Sequence, residues 1–322
     1  VKLVRKRGFS GLSGFVNGVL RSVARGWKDV TFQNESVRYS VPEWIIDGWN
    51  ADYGRDVTEK MLEAFMQPAK ITVRTNTQKC TPEELKDRLS QEGVTVEAIE
   101  GISYAFALSG FDYLAGLGSF QDGWFYVQDI SSMTVAHAAD PKKGDYIIDV
   151  CAAPGGKSSH LAELLDGSGM VEARDLTEYK VGLIEENILR HDLHNMKAVQ
   201  QDATLFDEAS VEKADILICD LPCSGLGVIG RKSDIRYKMT AEKAHDLAVL
   251  QQEMLDTVWK YVKRGGKLIY STCTIHKEEN EDNVAAFLQK HPQFTLVEQR
   301  QIFPMEGSDG FFVAKMIRST DE

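Results

Sequence analysis

Two cysteines and one aspartate are the residues whose types and spacing could do chemistry. Cys223 lies in the run Asp220-Leu221-Pro222-Cys223-Ser224-Gly225, and Cys273 lies in Ser271-Thr272-Cys273-Thr274. Each run follows an apolar stretch of strand character, so both thiols should sit at strand ends. A thiolate is a strong nucleophile once a positive neighbour or a helix N-terminus lowers its pKa. A helix expected to start near Lys277 would bring such a positive end toward Cys273. Asp220 adds a carboxylate at the end of the strand that leads into Cys223.

A third segment, Asp149-Val150-Cys151-Ala152-Ala153-Pro154-Gly155-Gly156-Lys157-Ser158, turns from a strand directly into a helix. Gly156-Lys157-Ser158 matches the end of a phosphate loop, but that motif needs its first glycine where Cys151 stands. A dinucleotide fingerprint fails as well, because no Gly-x-Gly-x-x-Gly is present. What remains is a tight glycine turn that lets a ligand approach the backbone closely. Asp175, Asp202 and Asp220 close the next three strands, and an acid at such a position commonly takes ribose hydroxyls. Carboxylates around a glycine turn suit a nucleoside without phosphate, which S-adenosylmethionine is. Two thiols and an acid beside that pocket imply methylation of a pyrimidine at carbon 5. That carbon is not nucleophilic until a thiol has added at carbon 6.

These residues need a scaffold that gathers strand ends at one edge. From residue 129 onward, strands are expected at 146–150, 170–173, 198–200, 216–219 and 268–272, with helices at about 156–166, 178–191 and 241–263. Strands alternating with helices give an α/β fold with a doubly wound parallel sheet, and ligands bind outside the carboxyl ends of its strands. Residues 36–128 read as a small α+β module, with a strand at 71–76, a helix starting at Thr81-Pro82 and a strand at 94–99. Apolar residues Leu12, Phe15, Val16, Val19, Leu20 and Val23 recur at helical spacing, giving one amphipathic helix with no apolar partner segment nearby.

Composition narrows the setting. The chain has 322 residues, 37 Lys and Arg against 48 Asp and Glu, and a net charge of −11. Residues 1–40 hold eight basic and two acidic residues, a net of +6, leaving −17 on the remainder. Such asymmetry can mark a nucleic-acid or membrane-surface contact. No apolar run approaches the roughly 20 residues needed to span a bilayer. Five cysteines, an odd number at wide spacing and without a secretory signal, argue for a reducing, cytoplasmic setting. Cys219 reads as a buried structural thiol, Cys80 carries no assignment, and no metal site is expected. The start on Val1 reads as a fragment of a longer chain.

The motifs carry a resemblance beyond this. Cys151–Lys157, Asp220–Gly225, and Ser271–Thr274 with Glu278-Glu279-Asn280 look like the Sun/Fmu family of RNA 5-methylcytosine methyltransferases. Val127-Gln128-Asp129-Ile130-Ser131-Ser132 and Asp309-Gly310-Phe311-Phe312-Val313-Ala314-Lys315 are similar to further parts of that family. Residues 9–21 resemble the last helix of the NusB-like domain found in its bacterial ribosomal members. The resemblance implies a Rossmann-like class I methyltransferase domain at 129–322, a small RNA-recognition module at 36–128, and a C-terminal remnant of a helical NusB-like RNA-binding domain at 1–35.

It further implies that Cys273 is the nucleophile, that Cys223 assists release of the methylated base, and that Asp220 contacts the base edge near N3. Cys151, Ala152, Ala153, Pro154, Gly155, Gly156, Lys157, Asp175, Asp202 and Asp220 would hold S-adenosylmethionine. Spacing alone does not rank the thiols, since DNA cytosine methyltransferases use the Pro-Cys position as nucleophile. Lys180 stands where many relatives are expected to carry arginine.

An RNA partner is expected at Arg231, Lys232, Arg236, Tyr237 and Lys238, which put four cations and an aromatic ring just after the Cys223 motif. Arg74 and Asn76 are further candidates, while His160 and His245 read as structural. The expected activity is methylation of cytosine carbon 5 in RNA, with 16S ribosomal RNA as substrate, by a monomer without a membrane partner. The alternatives are a transfer RNA cytosine-C5 methyltransferase and a non-catalytic RNA-binding ribosome-assembly factor.

Overall fold

The computed structural model describes residues 1–320, and these divide into two compact units, 1–43 and 44–320. The first unit holds short helices Lys2–Lys6 and Glu35–Tyr39 and the longer helix Ser13–Gly26. The apolar face read from the sequence is there, but Leu12, Phe15, Val19, Leu20 and Val23 are all exposed on it.

The helix Glu43–Tyr53 starts at the boundary between the units, and Arg55–Phe65 follows it in the second. An antiparallel sheet follows, built from β1 (Ile71–Thr75), β2 (Thr95–Ile99), β3 (Ile102–Ser109) and β4 (Phe125–Val127) in the order β2-β3-β1-β4. Its helix Pro82–Gln91 starts where the sequence requires. Thr81 accepts from the Glu84 amide, Glu84 reaches back to Thr81, and Pro82 fills the first helical position.

The larger sheet comprises β5 (Tyr146–Asp149), β6 (Met170–Asp175), β7 (Met196–Gln200), β8 (Ala214–Asp220), β9 (Val262–Thr272), β10 (Phe294–Ile302) and β11 (Phe311–Arg318). Its order is β10-β11-β9-β8-β5-β6-β7. β5 through β9 pair in parallel, whereas β11 runs antiparallel to both β9 and β10. Ile147, Ile148, Ile216, Leu217, Ile218, Leu268 and Ile269 are wholly buried, as expected of parallel strands covered on both faces. The chain leaves β5 toward β6 on one side and later fills β8 on the other. The switch point therefore lies at the carboxyl ends of β5 and β8.

The structure departs from the sequence reading at several elements. The last long helix ends at Val258, and β9 already begins at Val262, because Gly265 takes a left-handed φ of 73° that no helix interior accommodates. β10 and β11 were not anticipated. After Cys273 there is only a single 3-10 turn, Lys277–Glu279, and the helix proper starts at Glu281 with acids in its first turn. Among the described residues, no helix is long and apolar enough to cross a membrane.

Candidate active site

The site grows from four strand ends. β8 and β9 are adjacent and parallel, with Asp220 opposite Ser271, so their following loops run side by side. This places Cys223 Sγ 3.3 Å from Cys273 Sγ. The Gly227 amide donates to the Cys273 carbonyl at 3.1 Å, and the Gly310 amide donates to the Gly227 carbonyl at 2.8 Å. A Cβ on Gly227 would stand 2.0 Å from the Gly310 carbonyl oxygen, so that close approach requires glycine.

Asp220 is fixed at both oxygens. Ser271 Oγ donates to Oδ1 at 2.8 Å and Lys157 Nζ pairs with Oδ2 at 2.6 Å. Burial alone would lower the Lys157 pKa, but the Asp220 carboxylate reverses the shift and holds it above the ordinary lysine value. The hydrogen bond from Cys223 lowers the Cys273 pKa, and the charges of Lys157 and Lys232 add to the shift against burial and Asp220. Cys223 shifts the other way, raised by its hydrogen bond to Cys273, by burial and by the Cys273 charge. Cys273 is therefore the thiolate-prone member. The cause is its thiol neighbour and two lysines, not the helix end read from the sequence, since that helix begins eight residues later.

The loop after β5 carries the glycine turn. Gly155 caps the helix Gly156–Leu164 with φ of 105°, and Lys157 projects from that first turn to Asp220. Asp175, almost fully buried at the end of β6, accepts from the Ala153 amide at 3.0 Å and pairs with Lys180 at 3.0 Å. Asp202 accepts from the Thr204 amide and hydroxyl at 2.8 and 2.7 Å. Asp149 is buried beneath the loop, its pKa raised to about 7 by burial, and one of its oxygens has no partner.

Burial and the carboxylates Asp149, Asp175 and Asp220 push up the Cys151 thiol. A loop whose lysine is tied to a carboxylate, ringed by strand-end acids, disfavours phosphate. It suits hydroxyls and positive charge, the chemistry of S-adenosylmethionine. A Cβ on Gly156 would meet no neighbour within 4 Å, so the turn also presents bare backbone to a ligand.

The structure separates the basic residues. Arg231 Nε donates to both Asp309 oxygens at 2.8 and 2.9 Å, Nη2 to Asp129 at 2.9 Å, and Nη1 to the Lys70 carbonyl at 2.7 Å. Arg236 is buried. Lys238 pairs with Asp234 at 2.7 Å, while Lys232 and Tyr237 are exposed. Arg74 and Asn76 turn inward. Arg74 is 1% exposed and pairs with Glu163 of the helix Gly156–Leu164 at 2.6 Å, and Asn76 donates to the Gly123 carbonyl at 3.0 Å. Both therefore join elements rather than face solvent. His160 is buried, and His245 contacts Glu278 on the surface.

Ser224, Thr274 and Glu279 escaped the sequence reading, although each lies inside or beside a quoted motif. All three are buried at the thiols, where the Ser224 amide donates to Glu279 at 2.8 Å.

Residues 136–317 match the family model described as 16S rRNA methyltransferase RsmB/F, and 41–111 match the RsmF/B-like ferredoxin-like domain. The chain is 38% identical to the probable ribosomal RNA small subunit methyltransferase B of Bacillus subtilis, over 98% of this chain and 76% of that one. The chain belongs to the RsmB/F family of ribosomal RNA methyltransferases. Family members take their methyl group from S-adenosylmethionine. The Serratia proteamaculans ribosomal RNA small subunit methyltransferase B is 33% identical, over 95% of this chain and 73% of that one. Among solved structures, PH0851 superposes with a TM-score of 0.85 at 31% identity, covering 89% of this chain and 69% of that one. NSun6 from Pyrococcus horikoshii, solved with SFG, has a TM-score of 0.80 at 23% identity, covers 87% and 99% respectively, and shares the fold. The RsmB/F match spans all four strand ends that carry the site.

Proposed function

We propose that this RsmB/F member methylates carbon 5 of a cytosine in 16S ribosomal RNA through a covalent intermediate on Cys273. The observation that carries the reading is the pair of thiols at 3.3 Å beside the Asp220–Lys157 ion pair. The target base has to leave its stack to reach Cys273. The Cys273 thiolate adds to carbon 6, which makes carbon 5 nucleophilic. Asp220 contacts the base edge near N3, where the adduct takes up a proton from solvent and gives it back after methyl transfer, so that the base leaves neutral. S-adenosylmethionine, held by 151–157, Asp175, Asp202 and Asp220, supplies an electrophilic methyl group.

Release then requires loss of the carbon 5 proton. With Cys273 tied up as a thioether, Cys223 no longer shares a proton with it. Cys223 loses its proton to solvent and, as a thiolate, accepts the one on carbon 5. The electron pair of that C–H bond re-forms the double bond between carbons 5 and 6. The carbon–sulfur bond breaks with its pair, returning Cys273 to thiolate. Lys232 and Tyr237, with Arg231, Arg236 and Lys238 behind them, form the RNA-facing loop of this reading, and the antiparallel module supports the strand alongside.

Incubating the protein with an unmodified in vitro transcript of bacterial 16S ribosomal RNA and labelled S-adenosylmethionine tests the assignment. Digestion should yield labelled 5-methylcytidine. A different labelled nucleoside, or label accepted only by a transfer RNA transcript, would contradict it.

A further inference from the structure

Glu279 is wholly buried, and apart from His276 its carboxylate faces neutral donors. It accepts from the Ser224 amide at 2.8 Å, from Ser224 Oγ, and from Gln251 Nε2 at 3.0 Å, with His276 Nδ1 at 3.2 Å. Sequestering a carboxylate is costly unless its bonds are well made. Here both of its oxygens bond Ser224, the residue that follows Cys223. Ser224 Oγ also lies 2.7 Å from Thr274 Oγ1, the hydroxyl of the residue that follows Cys273.

The direction of this chain is fixed. A carboxylate only accepts, so the Ser224 hydroxyl donates to Glu279, and the Thr274 hydroxyl must donate to Ser224. Asn280 holds the other side of the same turn, donating to the Thr274 carbonyl at 3.2 Å. Gln251, which bonds Glu279, also donates to the Pro222 carbonyl at 2.8 Å, just before Cys223. The two thiol-bearing loops are thus joined one residue beyond each sulfur, and Gly225 follows at φ of 70°.

We infer that Glu279, Ser224 and Thr274 are positioning residues that set the Cys223 sulfur against Cys273 for the release step. The inference rests on the roles given to the two thiols above. Thr274→Val keeps the shape of the side chain and removes the donor, whereas Thr274→Ser keeps the donor. Glu279→Gln replaces one acceptor by an amide donor facing the Ser224 donors.

The test uses the full chain with the 16S transcript and labelled S-adenosylmethionine, following kcat, the KM for RNA, and covalent enzyme–RNA adduct on a denaturing gel. Thr274→Val and Glu279→Gln should lower kcat on the order of tenfold to a hundredfold, the scale of a misplaced reacting group. Their KM for RNA should hold, and adduct should accumulate. Thr274→Ser should restore turnover and clear the adduct. Should Glu279→Gln fail to fold, the two Thr274 variants decide alone. The inference is overturned if Thr274→Val turns over like wild type, loses KM alone, or shows no adduct while Cys223→Ala traps one. It is equally overturned if Thr274→Ser and Thr274→Val lose activity alike. Absence of adduct from Cys223→Ala overturns the release role of Cys223 itself, and the positioning roles with it.

Discussion

The thiol loop at 220–227 and the basic loop at 231–238 lie a few residues apart, yet they are held in opposite ways. In the first, each chemical group is fixed by backbone pairing of β8 with β9 and by buried partners. The result is two sulfurs 3.3 Å apart and one carboxylate bonded at both oxygens. In the second, five residues of similar sequence character divide. Arg231 is bound by two carboxylates and a carbonyl, Arg236 is buried, Lys238 pairs locally, and Lys232 and Tyr237 face outward. A nucleophile takes its role from the strand that delivers it. A cation takes its role from whichever acid reaches it first, and that acid is set by tertiary structure.

The comparison can be broken most easily at Arg231. Arg231→Ala leaves Asp129 and Asp309 facing each other without their shared cation, and should cost on the order of 2 kcal/mol in denaturant unfolding, less than a fully buried pair because the arginine is partly solvated. An unchanged midpoint together with a raised KM for RNA would make Arg231 an RNA contact after all. Tyr237→Ala should instead leave folding stability unchanged and weaken RNA binding by about 1–2 kcal/mol through lost base stacking. Lys232→Ala should reduce the salt slope of RNA binding by about one. Filter binding at several salt concentrations reads both.

The smallest effect is a pH dependence. Asp309 has its pKa raised to about 6, first by burial and then by Asp129. An acid with a raised folded pKa takes up its proton more readily in the folded state than in the unfolded one. Its contribution to stability therefore improves as pH falls through 6 toward the unfolded carboxylate value. Relative to Asp309→Asn, the wild-type protein should gain about 1 kcal/mol of unfolding free energy between pH about 7 and about 5. A flat difference would show that Arg231 already cancels the cost of burying that acid.

The parallel half of the sheet was legible because its strands are continuous apolar runs separated by amphipathic helices. The thiols, Asp220 and the glycine turn were legible because they follow those runs directly. β10 was not, since its edge position leaves most side chains exposed and the register shifts between Leu296 and Glu298, which breaks the alternation. The role of Arg231 was illegible because its partners Asp309 and Asp129 lie 78 and 102 residues away in sequence. Glu279 stood beside Cys273 in a quoted motif. Its partner Ser224 is 55 residues distant, and only the pairing of β8 with β9 brings them together. The net charge of −11 gave no hint of an RNA partner, because a total does not say where the charges stand, and residues 1–40 carry a net of +6 against −17 on the remainder.

The account stands on Cys273 as the nucleophile. Bisulfite sequencing of 16S ribosomal RNA incubated with S-adenosylmethionine and either wild-type protein or Cys273→Ala tests it most directly. The wild-type protein should leave one protected cytosine that Cys273→Ala leaves fully converted. Equal protection by both proteins would contradict the covalent role of Cys273.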